Sequence, residues 1–571
     1  MGLIRGLAAV IVAVGLVQDV LAGTYTLPEW LQPSGGSLSH SRAASNLTVD
    51  IGYAVYQGVR NSSSKLNVWK GIRYAAPPVG DLRWKEAVKP TLNRTATLAD
   101  TFGPTCPGVL PPGAPFFPGG SEDCLFLNVW APDKAKNLPV LVWIHGGGYG
   151  YGDGTQDMTD FINDNENSVV VVSIQYRLGA FGFLASDDVK SNGVVNAGIL
   201  DQAFALSWVQ TYISFFGGDP TRVTISGESA GGGSVMYHAI AAKGTLGTLL
   251  FKNHLIWGQA IASSPYLVSQ YTYNDTVPTS RYYNFASAAG CPSSGDVLSC
   301  LRSKNTSTLQ AANYQVGQLA ASGMWYFLPV TDGAYIASRP STQLISSSPV
   351  NGLRLLVGNN AHEGDLFVPT NIATEADLLS WLAVEFATLP ITTLQSILAH
   401  YPLSVSPTHQ ERANNIYAEA QFVCPSYWLA DAFTSPSDST TFDMRSKKAW
   451  HYQYSVPYAS HGTDLAAIFG PAGANQAPGV VQALRRAWGR FVTDDDPGFG
   501  FPVWRTGKGA EQVNINQTGG TPVEVTSSWG VNVTEYRGPG LRADITAVDA
   551  YAWEGGRGAR YTATANQMPL T

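Results

Sequence analysis

The stretch TISGESAGGG, residues 224–233, closes a β-branched run and then sets four glycines and two serines into ten positions. The residues before it, RVTIS, read as a buried strand, and those after it, SVMYHAIAA (234–242), read as a helix. Gly227-Glu228-Ser229-Ala230-Gly231 therefore falls on a sharp strand-to-helix turn. Such a turn crowds the backbone, so the positions flanking its central serine must be small, and the serine hydroxyl is lifted above the sheet edge. Ser229 is the candidate nucleophile.

A lone G-x-S-x-G is a weak signal in a chain with 59 glycines, so the surrounding sequence must supply the partners. WIHGGGYGYG, residues 143–152, follows a strand and lets successive backbone N–H groups converge on one point. A tetrahedral acyl intermediate needs two or three such donors about 3 Å from its oxyanion. Gly147, Gly148 and the N–H of Ala230 are assigned to this role. The competing readings are a flexible turn or a phosphate loop without its lysine.

A serine hydroxyl needs a histidine to take its proton and a carboxylate to orient that histidine, in the chain order Ser, acid, His. Of nine histidines, His400, His409, His451 and His461 leave room for an acid in between. His451 lies inside the strand pattern AWHYQYS, and His400 and His409 lie in a helical, surface-like region. His461, in YASHGTDL, falls in a loop just past a strand and is the candidate base. Glu363, in VGNNAHEGDLF, follows the strand LRLLVGN and is the candidate acid, with Asp365 as its competitor. His362 would break the chain order and reads as a loop residue.

The strands LPVLVWIHG, SVVVVSIQY, RVTISG, LRLLVGN and AWHYQYS are Val- and Ile-rich, as parallel strands covered on both faces are. Helical patterns lie between some of them, including NAGILDQAFALSWVQTYISFFG and GVVQALRRAWGRFV. The alternation predicts an α/β fold, a large mostly parallel sheet wrapped by helices. With no internal repeat and no low-complexity linker after residue 40, residues 23–571 read as one decorated domain.

Charged residues are only 13% of the 571, and 42 acids against 35 bases leave a net charge of −7, which excludes a basic nucleic-acid footprint. MGLIRGLAAVIVAVGLVQDVLAG reads as a secretory signal over residues 1–22, with Arg5, an apolar run and small residues at the cut. No later stretch reaches the roughly 18 apolar residues of a spanning helix, so stable membrane insertion is not expected and a secreted protein is. Seven sequons, at Asn46, Asn61, Asn93, Asn274, Asn305, Asn516 and Asn532, suit that compartment. Five cysteines in an oxidising compartment leave one over. The short-loop pairings are Cys106 with Cys124 and Cys291 with Cys300, leaving Cys424, although spacing alone leaves the other connectivities open. The cysteines lack zinc spacing and no His-Glu-x-x-His occurs, so neither metal nor cofactor is expected.

FFGGDPTRVTISGESAGG and EDCLFLNVW (122–130), together with the glycine loop, YRLGAFGFL and HGTDLAAIFG, resemble the signatures of the type-B carboxylesterase and lipase family. They spread from about residue 70 to 505. The resemblance implies an α/β-hydrolase fold, a triad of Ser229, Glu363 and His461, an oxyanion hole of Gly147, Gly148 and Ala230, and disulfides Cys106–Cys124 and Cys291–Cys300. It also implies ion pairs Arg83–Glu122 and Arg177–Asp201, read as structural. The implied partner is a small-molecule or lipid ester.

Departures from the family narrow the substrate. The loop PGVLPPGAPFFPGGSED holds five prolines and four glycines in 17 residues, where interfacial lipases carry a lid helix. It has Phe116 and Phe117 but no tryptophan, the best face for a quaternary ammonium. These features favour an open-site esterase acting on dissolved esters, over an interfacial triacylglycerol lipase or a choline esterase. A non-catalytic adhesion protein is disfavoured because every triad position is filled. Tyr149 and Trp325-Tyr326-Phe327 are candidates either for an acyl pocket or for plain core.

Overall fold

The computed structural model describes residues 47–116, 119–246, 258–346, 348–387, 389–404, 406–434, 446–498, 500–505 and 512–516. The segment read as a signal, the sequons at Asn46 and Asn532, and Phe117 lie outside them.

Among the described residues thirteen strands follow one another as β1 Thr48–Asp50, β2 Ala54–Gln57, β3 Val59–Asn61, β4 Leu66–Arg73, β5 Asn93–Leu98, β6 Phe126–Pro132, β7 Leu138–Ile144, β8 Val170–Ile174, β9 Gly218–Glu228, β10 Gln259–Ser263, β11 Arg354–Asn360, β12 Lys448–Tyr454 and β13 Val513–Ile515. Strands β1, β2 and β5 form a small separate sheet, and the other ten form one large sheet in the order β13-β12-β11-β10-β9-β7-β8-β6-β4-β3. From β13 through β8 every neighbouring pair is parallel, and from β8 through β6 and β4 to β3 the pairs are antiparallel. The fold is that of an α/β hydrolase.

The five strands expected from sequence are β7, β8, β9, β11 and β12. Strands β7 and β8 are buried almost throughout, as their unbroken Val, Leu and Ile content requires when both faces are covered. Helix Ala197–Tyr212 is enclosed nearly all round, with even Asp201 and Gln202 buried. Helix Pro478–Asp494 is amphipathic instead. Val480, Leu484, Trp488 and Phe491 join Trp143, Trp450 and Phe469 in one apolar cluster, following the three- and four-residue spacing of a helix face.

Two of the expected ion pairs pin loops to this frame. Arg83 forks onto Glu122 at 2.7 and 2.6 Å and also donates to the carbonyls of Arg302 and Lys304. Arg177 forks onto Asp201 at 2.7 Å through both Nε and Nη2. Cys106 is bonded to Cys124 and Cys291 to Cys300, while Cys424 is free and buried. Burial pushes the Cys424 thiol well above its ordinary range, so it is held as an inert thiol. Among the described residues no helix is long and apolar enough to cross a membrane.

Candidate active site

Ser229 stands between β9 and helix Ala230–Gly244 with φ 58° and ψ −125°, a conformation outside the ordinary regions for a side-chain-bearing residue. The surroundings hold it there: its N–H donates to the Ser263 carbonyl at 3.1 Å, and its carbonyl accepts from Gly233 and Tyr266 at 2.8 and 3.1 Å. The flanking glycines are sterically required. A Cβ on Gly227 would lie 2.3 Å from the Gly231 carbonyl carbon, and one on Gly231 would lie 2.0 Å from the Ile144 oxygen.

The glycine loop after β7 lies directly against this turn. A Cβ on Gly146 would meet Ser229 Cβ at 3.0 Å and the Glu228 carbonyl at 2.7 Å. Gly147 and Gly148 have φ of +102° and +60°, and Gly147 O accepts from the N–H groups of Gly150 and Tyr151 at 3.0 Å. That turn leaves the N–H groups of Gly147 and Gly148 without an acceptor among the described residues. Ala230 adds a free first-turn N–H of its helix.

Glu363 and His461 arrive from the same end of the sheet, just beyond β11 and β12. His461 Nδ1 bonds Glu363 Oε2 at 2.5 Å. The other carboxylate oxygen of Glu363 accepts from Asn360 N at 2.5 Å and Ser264 Oγ at 2.6 Å. Asp464 extends the network, accepting from Ser263 Oγ at 2.5 Å and Asn360 Nδ2 at 3.2 Å. The ring of His461 packs against Phe422 and Phe367, with centroids 4.4 and 5.0 Å away. Phe422 sits in the π-helical turn Glu419–Val423, the kind of helical bulge that recurs at functional sites.

The competing candidates go elsewhere. Asp365 accepts from Asn414 at the surface, and His451 is buried against Ser426 at 2.8 Å. Of the four aromatic candidates, Trp325 packs over the glycine loop, where Cβ atoms on Gly148 or Gly150 would fall 2.2 Å from its indole. Tyr149 is fully buried among Phe183, Tyr237 and Tyr266, and Tyr326 and Phe327 pack on Arg281 and Phe285.

Sequence reasoning overlooked Glu228, the variable position inside the serine motif. Its Oε1 lies 3.2 Å from His461 Nε2, too poorly aligned to satisfy either atom. Burial pushes Glu228 up to about 8, with Asp464 and Glu363 adding to the rise against the pull of His461. Burial also works against charge on His461, but Glu228 and Glu363 outweigh it and raise the ring to about 9. Its only sequence-level signal is an acid beside the candidate nucleophile. Among the described residues no group of three or more His, Cys, Asp or Glu side chains is arranged to hold a metal.

A serine at a strained strand-to-helix turn, a glycine loop of outward N–H groups and a carboxylate-held histidine define the hydrolase class of this fold. The sequence profile of the Carboxylesterase family matches residues 45–528, and the chain belongs to that family of carboxylic ester hydrolases. It is 31% identical over 510 residues to Lipase 2 of Geotrichum candidum, covering 80% of this chain and 89% of that one. It is 30% identical to Secreted lipase 1 of Botryotinia fuckeliana, covering 82% and 89%. Among solved structures, that of Aspergillus niger EstA superposes with a TM-score of 0.72 at 28% identity, covering 92% of this chain and 99% of that one.

Proposed function

We propose that this chain is a secreted serine esterase that cleaves dissolved carboxylic esters through Ser229, His461 and Glu363. His461 takes the Ser229 proton as the hydroxyl attacks the ester carbonyl, and the oxyanion is met by the N–H groups of Gly147, Gly148 and Ala230. The histidine then protonates the leaving alcohol. Water, deprotonated by the same ring, releases the acid from Ser229, while Glu363 keeps Nδ1 protonated throughout. The observation that carries this reading is the 2.5 Å bond from His461 Nδ1 to a fully buried Glu363 whose other oxygen is already taken by Asn360 and Ser264. The carboxylate can turn neither away from the ring nor toward water.

Residues 1–22 are proposed as a secretory leader ahead of a single domain, 23–571. Two disulfides, and the likeness to a Botryotinia protein named as a secreted lipase, support that compartment. Glycans on the sequons go with the same route.

A second reading, an interfacial lipase, is favoured by the names of the fungal relatives. Against it, no described residue of the 107–123 loop is helical. Nitrophenyl esters of two to sixteen carbons, assayed below and above their solubility limits with Ser229→Ala as the blank, separate the two. Hydrolysis of dissolved short esters, lost in the variant, is expected. A jump in rate only above the solubility limit would make it a lipase, and full activity in Ser229→Ala would overturn the triad.

A further inference from the structure

Helix Glu375–Glu385 opens with a capping box between Thr374 and Asp377 and buries one face, carrying Leu378, Leu382 and Glu385. These positions follow the four- and three-residue spacing of an apolar stripe, so Glu385 stands where a leucine would be expected. It is 6% exposed, and neither of its carboxyl oxygens has a hydrogen-bond partner among the described residues. It also lies in the last turn of its helix, where unbonded carbonyls disfavour a negative charge. Burial pushes it up to about 8, so at neutral pH it is a carboxylic acid able both to donate and to accept.

Its surroundings lead back to the nucleophile. Trp381, one helical turn before Glu385 on the same helix, packs its ring on Tyr417 with centroids 6.5 Å apart, and the Glu385 carboxyl adds to the rise of the Tyr266 and Tyr417 hydroxyls above their ordinary range. Both of those hydroxyls meet the Met324 sulfur, at 3.7 and 3.9 Å. Met324 precedes Trp325, whose indole covers Gly148 and Gly150 of the loop that faces Ser229. The rings of Tyr266 and Tyr417 also reach His461 through Phe422 and Phe367. Ring contacts thus run from His461 through Phe367 and Tyr417 to Trp381, one turn before a buried, unpartnered carboxyl group.

We propose that Glu385 is a specificity-determining residue that binds a hydroxyl on the acyl part of the substrate, at the far end of the Tyr266–Tyr417–Trp325 wall. A neutral acid and an alcohol satisfy one another in both directions, and the rings suit a flat or apolar body between the hydroxyl and the ester. The acyl side is assigned because Trp325 packs on the glycine loop that would hold the acyl oxygen. An unpartnered buried acid is destabilising by itself, and a substrate hydroxyl supplies its missing partner. This inference rests on the esterase reading above.

The test compares matched nitrophenyl esters, 3-(4-hydroxyphenyl)propanoate against 3-phenylpropanoate and 8-hydroxyoctanoate against octanoate, on the wild type and on Glu385→Leu, Glu385→Met and Glu385→Gln. The ratio of kcat/KM, hydroxylated over plain, is expected to fall by at least about tenfold in the Leu and Met variants for one of the pairs. The Gln variant, which keeps a donor and an acceptor, should retain most of it. Both apolar variants should melt no lower than the wild type, since each removes an unsatisfied group. Unchanged ratios for both pairs in an apolar variant would overturn the proposal. Failure of the wild type on all four esters would instead overturn the esterase reading.

Discussion

Replacing Glu228 by glutamine tests how the proposed base, His461, is tuned. Its Oε1 is 3.2 Å from His461 Nε2, and two unit charges at that distance attract by about 5 kcal/mol at an effective dielectric near 20. Taken alone, that equals roughly three to four pH units. The realised effect is smaller, because Glu228 itself holds a proton up to about pH 8 and carries only part of its charge below that. We expect the apparent pKa of the acid limb of kcat/KM to fall by about 1–2 units in Glu228→Gln. The sign follows from the proposed role: as a base His461 would act only when neutral, so activity is expected above its raised pKa and lost as pH falls through it. Removing the carboxylate lowers that pKa and carries the limb to lower pH. The assay is the pH profile of kcat/KM for nitrophenyl acetate at constant ionic strength, from about pH 5 to 10. A limb that stays in place, or moves to higher pH, refutes the argument that Glu228 raises the ring.

Three further changes probe the frame and the pocket. Gly231→Ala drives a Cβ to within 2.0 Å of the Ile144 oxygen and should cost at least about 1–3 kcal/mol, read as a lowered thermal midpoint. Arg177→Met leaves Asp201 buried without its cation and should cost about 3–5 kcal/mol in denaturant unfolding, most of it recovered by also replacing Asp201 with leucine. Trp325→Ala opens space over Gly148 and Gly150, and the best nitrophenyl chain length should move to longer acyl groups. An unchanged optimum would exclude Trp325 from the acyl pocket.

What the sequence disclosed was local or strongly patterned. The strands around Ser229 were legible because continuous Val and Ile runs mark strands buried on both faces. The Glu363 and His461 assignments came from chain order and position after a strand, and the structure brings them within 2.5 Å of each other. Strand β10 went unread because QAIAS is short and lacks that pattern. Glu228, Ser264, Asn360 and Asp464 were also invisible as a group, since only the parallel register of β9, β10, β11 and β12 sets their neighbourhoods side by side. Glu385 is hidden for another reason: a charged residue at a helix end reads as a solvated one until burial is known.

The groups that would attack, abstract and orient are loaned to one point by the ends of β9, β11 and β12, with Ser263 at the end of β10 tied across to Asp464, 201 residues further along the chain. No short contiguous fragment carries all of these groups. Turnover is therefore a report on the whole sheet: a nicked, truncated or half-refolded chain can keep helices and hydrophobic clusters and still be silent. Regain of activity during refolding should coincide with the last strand to dock, which makes a simple ester assay a stricter measure of nativeness for this protein than its helical signal.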